Sequence, residues 1–200
     1  YYSTNGDGWT DNSGWLSFSP VGTWTGLTVA DGHVTGIELW HNGLIGSIPS
    51  EIGNLTKIKV LVLATNRING AIPPEIGNLT DLLQLSLGDN NLSGEIPASL
   101  GNLENLTFLN LSVGNLSGPI PPELGNLTEL ERLGLYENKL TGPIPPELGN
   151  LTGLDDLTLR NNRLTGPIPS ELGNLTGLAN IDFSLNQLTG DIPPELGNLT

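Results

Sequence analysis

The sequence predicts an α/β repeat solenoid, because one 24-residue pattern recurs along most of the chain. Seven units follow one another without an insertion, and they start at residues 34, 58, 82, 106, 130, 154 and 178. Apolar residues at unit positions 1, 4 and 6 alternate with more polar ones, which predicts a short half-buried strand at the start of each unit. One such unit cannot bury its own apolar face, so we expect stacked units to share one continuous core.

Composition excludes several classes of protein. The 200-residue chain has no cysteine, which excludes disulfide frameworks, thiolate nucleophiles and cysteine-ligated metal centres. Its 21 acidic and 7 basic residues give a net charge of −14, and this charge repels nucleic acid and anionic membrane surfaces. We therefore expect neither a nucleic-acid partner nor membrane insertion of this segment.

Two further features follow the strand of each unit. The first is an asparagine followed by a Gly-x-Ile-Pro turn, as in Gly166 to Pro169, where glycine permits unusual backbone dihedrals and proline fixes φ. The second is a Pro-x-Glu-Leu-Gly-Asn-Leu segment, as in Pro145 to Leu151, which predicts one helical turn that returns the chain to the next strand. Each unit is thus predicted to be one coil of the solenoid.

The consensus LxxLxLxxNxLxGxIPxxLGNLxx resembles the plant-type leucine-rich repeat over residues 34–200. The chain is similar to receptor-kinase ectodomains and polygalacturonase-inhibiting proteins, in a cysteine-free form associated with bacterial, algal and protist relatives. The resemblance implies a right-handed array with a concave parallel β-sheet and a ladder of asparagine side chains between coils. Gly114 interrupts this ladder, with Asn115 shifted by one residue, so we predict a weak point in the fourth coil.

Residues 1–33 resemble the N-terminal cap of the same family. The segment from Trp24 to Val29 lies where the plant form has Trp-x-Gly-Val-x-Cys, so the resemblance assigns Val29 and Val21 to the positions of the family's disulfide pair. Trp9, Trp15 and Trp24 are expected to seal the open end of the core, and Trp40 belongs either to this cap or to the concave face. The sequence offers no matching C-terminal cap, so we expect residues 34–200 to be part of a longer array.

Candidate binding residues lie at the outward strand positions, because solenoids bind through the variable residues of the concave sheet. Small side chains occupy the middle coils, whereas aromatic and charged residues gather towards the ends. An exposed aromatic flanked by arginine and carboxylates is typical of a binding hot spot, although Tyr136 and Arg160 could instead simply stack on each other. The predicted ligand-binding residues are Glu38, Trp40, His41, Phe108, Arg132, Tyr136, Glu137, Asp156 and Arg160.

These observations predict a non-catalytic, extracellular or cell-surface recognition module that binds a protein, peptide or cell-wall glycan. His33 and His41 lie in no catalytic motif, and Glu131 and Asp155 are predicted to lie on an open surface, so we expect no enzyme activity, cofactor or metal. The alternative is a structural or adhesive subunit that stacks end to end into an extracellular fibre. A minor alternative is ice binding through a row of threonines at Thr56, Thr80, Thr128, Thr152 and Thr176, which Glu104 interrupts.

Asn-x-Ser/Thr sequons are unusually frequent, and they predict a glycoprotein if the chain is secreted by a eukaryote. The alternative is that Gly-Asn-Leu-Thr is a turn consensus that forms sequons by accident. Asn110 and Asn198 also begin sequons, and a glycan on Asn110 would block the concave face. The predicted N-glycosylation sites are Asn54, Asn78, Asn91, Asn105, Asn115, Asn126, Asn150 and Asn174.

Overall fold

The computed structural model describes residues 1–199, and there the repeat forms the right-handed solenoid that the sequence predicts. Each 24-residue unit is one coil, with a strand on the concave face, a second strand on one flank and a short helix on the way back. Thr200, which completes the Asn198 sequon, lies outside the described residues.

The concave sheet has eight strands within residues 1–199. The first strand is antiparallel and comes from the cap, and every later pair is parallel and in register, with Leu61, Leu85 and Leu109 side by side. The parallel register follows from the constant repeat length, since every coil brings the equivalent residue back beside the one in the coil before. In order along the sheet the strands are β1 Leu27–Ala30, β2 His33–Glu38, β4 Val60–Val62, β6 Gln84–Ser86, β8 Phe108–Asn110, β10 Arg132–Gly134, β12 Asp156–Thr158 and β14 Asn180–Asp182.

A second parallel sheet, which the sequence analysis did not predict, runs along the flank next to the asparagine ladder. Its strands are short and half exposed, so they lack a strong alternation of apolar and polar residues. Each one ends at or near the glycine of the Gly-x-Ile-Pro turn. Within the described chain its seven strands are β3 Ile45–Gly46, β5 Arg67–Gly70, β7 Asn91–Gly94, β9 Asn115–Pro119, β11 Lys139–Gly142, β13 Arg163–Gly166 and β15 Gln187–Leu188.

The predicted helical turn is a five-residue 3-10 helix in every coil, and three further 3-10 turns lie in the cap. A proline precedes each coil helix with an extended or near-extended ψ, which sets where the helix begins. Across residues 1–199 the helices are Tyr2–Thr4, Gly6–Gly8, Val21–Thr23, Ser50–Asn54, Pro74–Asn78, Ala98–Asn102, Pro122–Asn126, Pro146–Asn150, Ser170–Asn174 and Pro194–Asn198.

In each of the first six coils, seven apolar side chains point into one continuous core, whereas Ile181 and Ile192 of the seventh coil are exposed. The core side chains come from the strand, the segment after the ladder asparagine, the Ile-Pro turn and the helix, so every part of the repeat contributes to burial. Removal of this apolar surface from water is the main stabilising contribution to the array. In the second coil the core residues are Ile58, Leu61, Leu63, Ile68, Ile72, Ile76 and Leu79.

The helix glycine of each coil permits close stacking of the next coil. A Cβ atom at Gly53 would lie 2.6 Å from the carbonyl oxygen of Glu75 in the following coil, and one at Gly125 would overlap the carbonyl oxygen of Glu147. The sequence analysis explained this glycine only as the end of the helical turn. Its position within the helix shows that it is needed for contact between neighbouring coils.

The asparagine ladder is confirmed. In Asn162, Oδ1 accepts a hydrogen bond from Leu140 N at 3.0 Å, and Nδ2 donates to Leu135 O at 2.9 Å and to Leu159 O at 3.1 Å. The amide therefore joins its own coil to the one before it. The same geometry recurs at Asn66, Asn90, Asn138 and Asn186.

The first rung of the ladder joins the cap to the repeats. Asn42 Oδ1 accepts from Asp11 N at 2.7 Å, and Asn42 Nδ2 donates to Asp11 O at 2.8 Å. Trp9 is 7% exposed and donates from Nε1 to Thr4 O at 2.9 Å. The Trp15 ring lies between those of Trp9 and Trp24, with centroids 4.9 and 5.3 Å away. Trp9 and Trp15 pack against the core, but an apolar hollow of about 360 Å³ remains between the three tryptophans and the first coils.

One detail of the cap differs from the sequence interpretation. A Cβ atom at Gly22 would lie 3.4 Å from Val29 Cβ, so Gly22 lies directly opposite Val29. The residue named from the sequence was Val21, which is 42% exposed, while Val29 is 38% exposed. The two segments therefore meet where the resemblance places the family's disulfide, although the facing position is 22.

Candidate functional site

The concave sheet presents its outward side chains in straight rows, because adjacent parallel strands are in register. Arg132 lies beside Phe108 on one side and Asp156 on the other. Two positions further along the strand, Gly134 lies between Asn110 and Thr158. Gly134 has no side chain, so the surface is lower there, between Arg132 and Tyr136.

A hollow of about 170 Å³ lies at this place, and we call it the Arg132 hollow. It brings together four of the nine predicted binding residues, namely Phe108, Arg132, Tyr136 and Asp156. Asp156 Oδ1 accepts a hydrogen bond from Asn180 Nδ2 at 3.1 Å. In residues 1–199 the one ion pair is between Lys57 and Asp81, so Arg132 and Asp156 share the hollow without pairing.

A larger hollow of about 370 Å³ adjoins it on the other side of Tyr136, and we call it the small-residue hollow. Gly88 and Ser112 form part of its floor, and Tyr136 and Asn110 line both hollows. A Cβ atom at Gly88 would lie 3.0 Å from Asn110 Oδ1, so any larger residue there would fill this space. The sequence predicts only that small side chains occupy these middle coils, and in the structure those small residues line the cavity.

Ser112 carries an unusual hydroxyl at the floor of the small-residue hollow. The residue is 1% exposed, and within residues 1–199 its Oγ has no hydrogen-bond partner. Leaving a buried hydroxyl unpaired costs about 1–3 kcal/mol. Beside it, Asn110 Oδ1 accepts from Ser112 N at 3.0 Å, which directs the amide of Asn110 across the same floor.

The first coil places a second aromatic residue on the concave face. Trp40 is 65% exposed, so it does not pack into the cap, and its ring centroid is 6.2 Å from that of His41. Glu38, the last residue of β2, is exposed two residues earlier. These three predicted residues lie together at one end of the sheet, four coils from Tyr136.

Two further predicted residues, like the three of the first coil, lie outside both hollows. Arg160 and Glu137 are exposed, and neither lines a hollow around Tyr136. Arg160 instead contributes to the electrostatics of Asp182 in the next coil. The pKa of the Asp182 carboxyl is lowered from its ordinary value, chiefly because Ser184 hydrogen-bonds to it, with a smaller attraction from Arg160.

A polar notch of about 240 Å³ marks the weak point predicted at Gly114. It lies on the ladder side of the fourth coil, lined by Asn90, Asn91, Gly114 and Asn115, and it shares Asp89 and Val113 with the small-residue hollow. Asn115 belongs to the second sheet and does not replace the missing ladder amide. The break in the ladder therefore leaves an open polar space.

Val113 adopts an unfavourable backbone conformation at the edge of the same notch. Its φ is 57°, in the left-handed region, where a β-branched side chain is strongly disfavoured. The equivalent residue of every coil is left-handed, because the chain turns there from the concave strand towards the ladder. Other coils place Asp89, Asn161 or other residues at this position.

The threonine row and most sequons lie on the surface between the helices and the concave strands. All five threonines of the row are exposed, and so is Glu104. Of the predicted glycosylation sites, Asn115 is half-buried and the other seven asparagines are exposed. Asn105 Nδ2 donates to Thr80 O at 2.9 Å, so this side chain already bridges two coils.

Among residues 1–199, no three His, Asp or Glu side chains converge as metal ligands. Asp155 N donates to Glu131 O at 2.7 Å, and both carboxylates are exposed on the open surface. In the same part of the chain, none of the helices has the length and apolar character needed to span a bilayer.

These observations define a class of protein: a repeat solenoid with an open, polar concave sheet that carries shallow hollows. The particular family follows from sequence comparison. The model of the leucine-rich repeat region matches residues 37–142, and a second leucine-rich-repeat model matches residues 153–175 and 177–199. The chain therefore belongs to the leucine-rich-repeat family.

Solved structures support the resemblance to plant receptors. The leucine-rich-repeat ectodomain of the receptor kinase GASSHO1/SCHENGEN3 from Arabidopsis thaliana, in complex with CASPARIAN STRIP INTEGRITY FACTOR 2, is 39% identical with a TM-score of 0.81, over 89% of this chain and 25% of that chain. The Arabidopsis receptor kinase HAESA, in complex with the peptide hormone IDA and the co-receptor SERK1, is 36% identical with a TM-score of 0.85, over 96% and 34% of the two chains.

A third similar structure has a different activity. A plant ice-binding protein is 35% identical with a TM-score of 0.83, over 92% of this chain and 60% of that chain. The chain thus spans between a quarter and about a third of the two receptor ectodomains above. No curated protein matches the sequence significantly.

Proposed function

We propose that this chain is a non-catalytic extracellular recognition module that binds an extended ligand on its concave face. The observation that carries the proposal is the pair of adjacent hollows that share Tyr136 and Asn110. They combine an aromatic ring, amide and hydroxyl groups, an arginine and carboxylates on one accessible surface, which is typical of a binding hot spot. The similar receptor ectodomains, solved with a peptide hormone or a named factor, support the same function.

The test compares two double substitutions. Replacement of Tyr136 and Arg132 by alanine removes the aromatic wall and the cation of the Arg132 hollow. Arg163 and Lys139 lie exposed on the second sheet, so their replacement by alanine is the matched control. Phage-displayed peptides and a glycan microarray serve as probes. Loss of binding in the concave variant alone supports the proposal, whereas equal binding by both variants contradicts it.

The extracellular location is part of the proposal, and the exposed sequons support it. If the chain passes through a eukaryotic secretory pathway, we expect glycans on exposed sites such as Asn126 and Asn150. The measurement is the intact mass of secreted protein before and after enzymatic removal of N-linked glycans. A mass above 21.1 kDa that falls on treatment supports glycosylation, and an unchanged mass contradicts it.

Ice binding is the second candidate function. The plant ice-binding protein described above supports it, together with the exposed threonine row on the surface beside the helices. Thermal hysteresis of the purified protein is the measurement. Replacement of Thr128 and Thr152 by lysine should abolish the activity, while Thr141→Lys on the second sheet should preserve it. The absence of thermal hysteresis in the unmodified protein would exclude this function.

A further inference from the structure

A trough with an aromatic residue at each end crosses the concave sheet. Trp40 and Tyr136 occupy the same strand position in the first and fifth coils, and Ala64, Gly88 and Ser112 occupy it in the three coils between. Four spacings of about 4.8 Å separate the two aromatic residues, which gives a trough about 19 Å long. The small-residue hollow is the central part of this trough, from Ala64 to Tyr136.

The floor of the trough offers hydrogen-bonding groups that a hydroxyl-rich ligand would satisfy. The Thr65 hydroxyl and the Asn110 amide line the small-residue hollow, whereas Ser112 Oγ beside Asn110 is shielded from solvent. Asp89 is exposed on the rim and adds a carboxylate acceptor. A hydroxyl, an amide and a carboxylate beside an aromatic ring are the groups that bind sugar hydroxyls and the apolar faces of sugar rings.

Charge and backbone pairing both disfavour other ligands. Asp89 lines the small-residue hollow, Glu38 lies near Trp40, and Arg132 shares a hollow with Tyr136. Because the whole chain carries −14, a polyanion would be repelled. The backbone groups of the floor are already paired between coils, as in Leu87 N to Asn110 O at 2.9 Å and Asp89 N to Ser112 O at 2.8 Å. A peptide therefore finds no free strand edge on which to add a strand.

We propose that the trough between Trp40 and Tyr136 binds an uncharged linear polysaccharide that lies across the strands, with a sugar ring stacked on each aromatic residue. One sugar ring advances a polysaccharide by about the same distance as one strand spacing, so about four or five rings span the trough. This inference rests on the proposed function, because it specifies the ligand of the same concave face. The Arg132 hollow lies beyond Tyr136 and is not needed for it.

The experiment titrates the protein with defined hexasaccharides and follows tryptophan fluorescence and binding heat. The probes are the uncharged β-1,4-glucohexaose, β-1,3-glucohexaose and β-1,4-mannohexaose, with hexagalacturonate as the anionic comparison. We expect at least one uncharged hexasaccharide to bind, its trisaccharide to bind at least about 10-fold more weakly, and hexagalacturonate to bind more weakly still.

Four variants locate the binding. Trp40→Ala and Tyr136→Ala should each weaken the hexasaccharide about 10-fold, and Ala64→Leu should weaken it by filling the trough without removing an aromatic ring. Phe18 is fully exposed in the cap, so Phe18→Ala is the matched aromatic control and should bind normally. Thermal melts of all four variants establish that they remain folded.

Two results would overturn the inference. In the first, none of the three uncharged hexasaccharides binds at concentrations up to about 10 mM. In the second, binding is unaffected by Trp40→Ala and Tyr136→Ala. If a phage-displayed peptide then binds and is lost in the Tyr136 and Arg132 double variant, the polysaccharide is wrong and the recognition function stands. If the concave substitutions affect neither peptide nor sugar, both proposals fail.

Discussion

Gly114 lies against the side chain of Asn138, since a Cβ atom at position 114 would be 3.0 Å from Asn138 Oδ1. In the coil before, Asn90 Nδ2 donates to Leu63 O at 3.0 Å and Asn90 Oδ1 accepts from Ile68 N at 2.9 Å. Glycine can make neither bond. The fourth coil therefore lacks the side-chain amide that joins each neighbouring coil to the coil before it.

Gly114→Asn should restore the missing rung and stabilise the protein. The new amide gains hydrogen bonds to two backbone groups, and replacing glycine also reduces the entropy of the unfolded chain, so we expect the free energy of unfolding to rise by about 1–2 kcal/mol. Gly114→Ala is the control, because it adds the same Cβ atom without the amide. Denaturant unfolding of both variants gives the comparison. Equal stability of the two would show that a ladder amide adds nothing at this coil.

A substitution at Val113, the neighbour of Gly114, should also stabilise the protein. Its left-handed φ of 57° strains a β-branched side chain, whereas asparagine tolerates that region. We expect Val113→Asn to raise the free energy of unfolding by about 1 kcal/mol. Asn161 has the same conformation two coils later, with a φ of 54°, so Asn161→Val is the reciprocal test and should destabilise by a similar amount. Substitutions that both change stability in the same direction would rule out backbone strain as the cause.

Most of the fold could be predicted from the sequence, because an exact repeat forces every coil to repeat the same contacts. The Leu85 row follows from residue type and spacing, and the Asn162 ladder and the Trp15 cap cluster follow from the resemblance to the plant-type repeat. The second sheet could not be predicted, because strands such as Lys139–Gly142 are short and pair only through their place in the coil. A periodic pattern reveals buried positions, and the strands of this sheet bury one side chain each at most.

The candidate site was predicted only in part, for a related reason. Sequence inspection finds large side chains such as Tyr136 and Trp40, and the structure places both on the concave face. A hollow, however, is made by the residues that lack side chains. Gly88 and Ser112 belong to no motif that indicates a binding site. The register of the strands shows that they lie in one row between the two aromatic residues.

Coil stacking should be highly sensitive to the helix glycine. A Cβ atom at Gly125 would overlap the backbone carbonyl of Glu147, so Gly125→Ala must push two coils apart, and we expect a loss of about 3 kcal/mol. Gly177→Ala is the control, since nothing lies within 4 Å of a Cβ atom there. Thermal melts of the two variants measure the difference in stability. A Gly125→Ala variant as stable as the Gly177→Ala variant would mean that the coils can separate without cost.

The cap should accept a disulfide between positions 22 and 29. The 3.4 Å between a Cβ atom at Gly22 and Val29 Cβ is close to the separation found in disulfides, which is about 3.5–4.5 Å. Gly22→Cys with Val29→Cys should therefore oxidise spontaneously, and closing this short loop should stabilise the cap by about 2.5 kcal/mol. Thiol titration and thermal melts with and without reductant measure both effects. Val21→Cys with Val29→Cys tests the pairing suggested by the sequence, and faster oxidation of that pair would contradict the structural register.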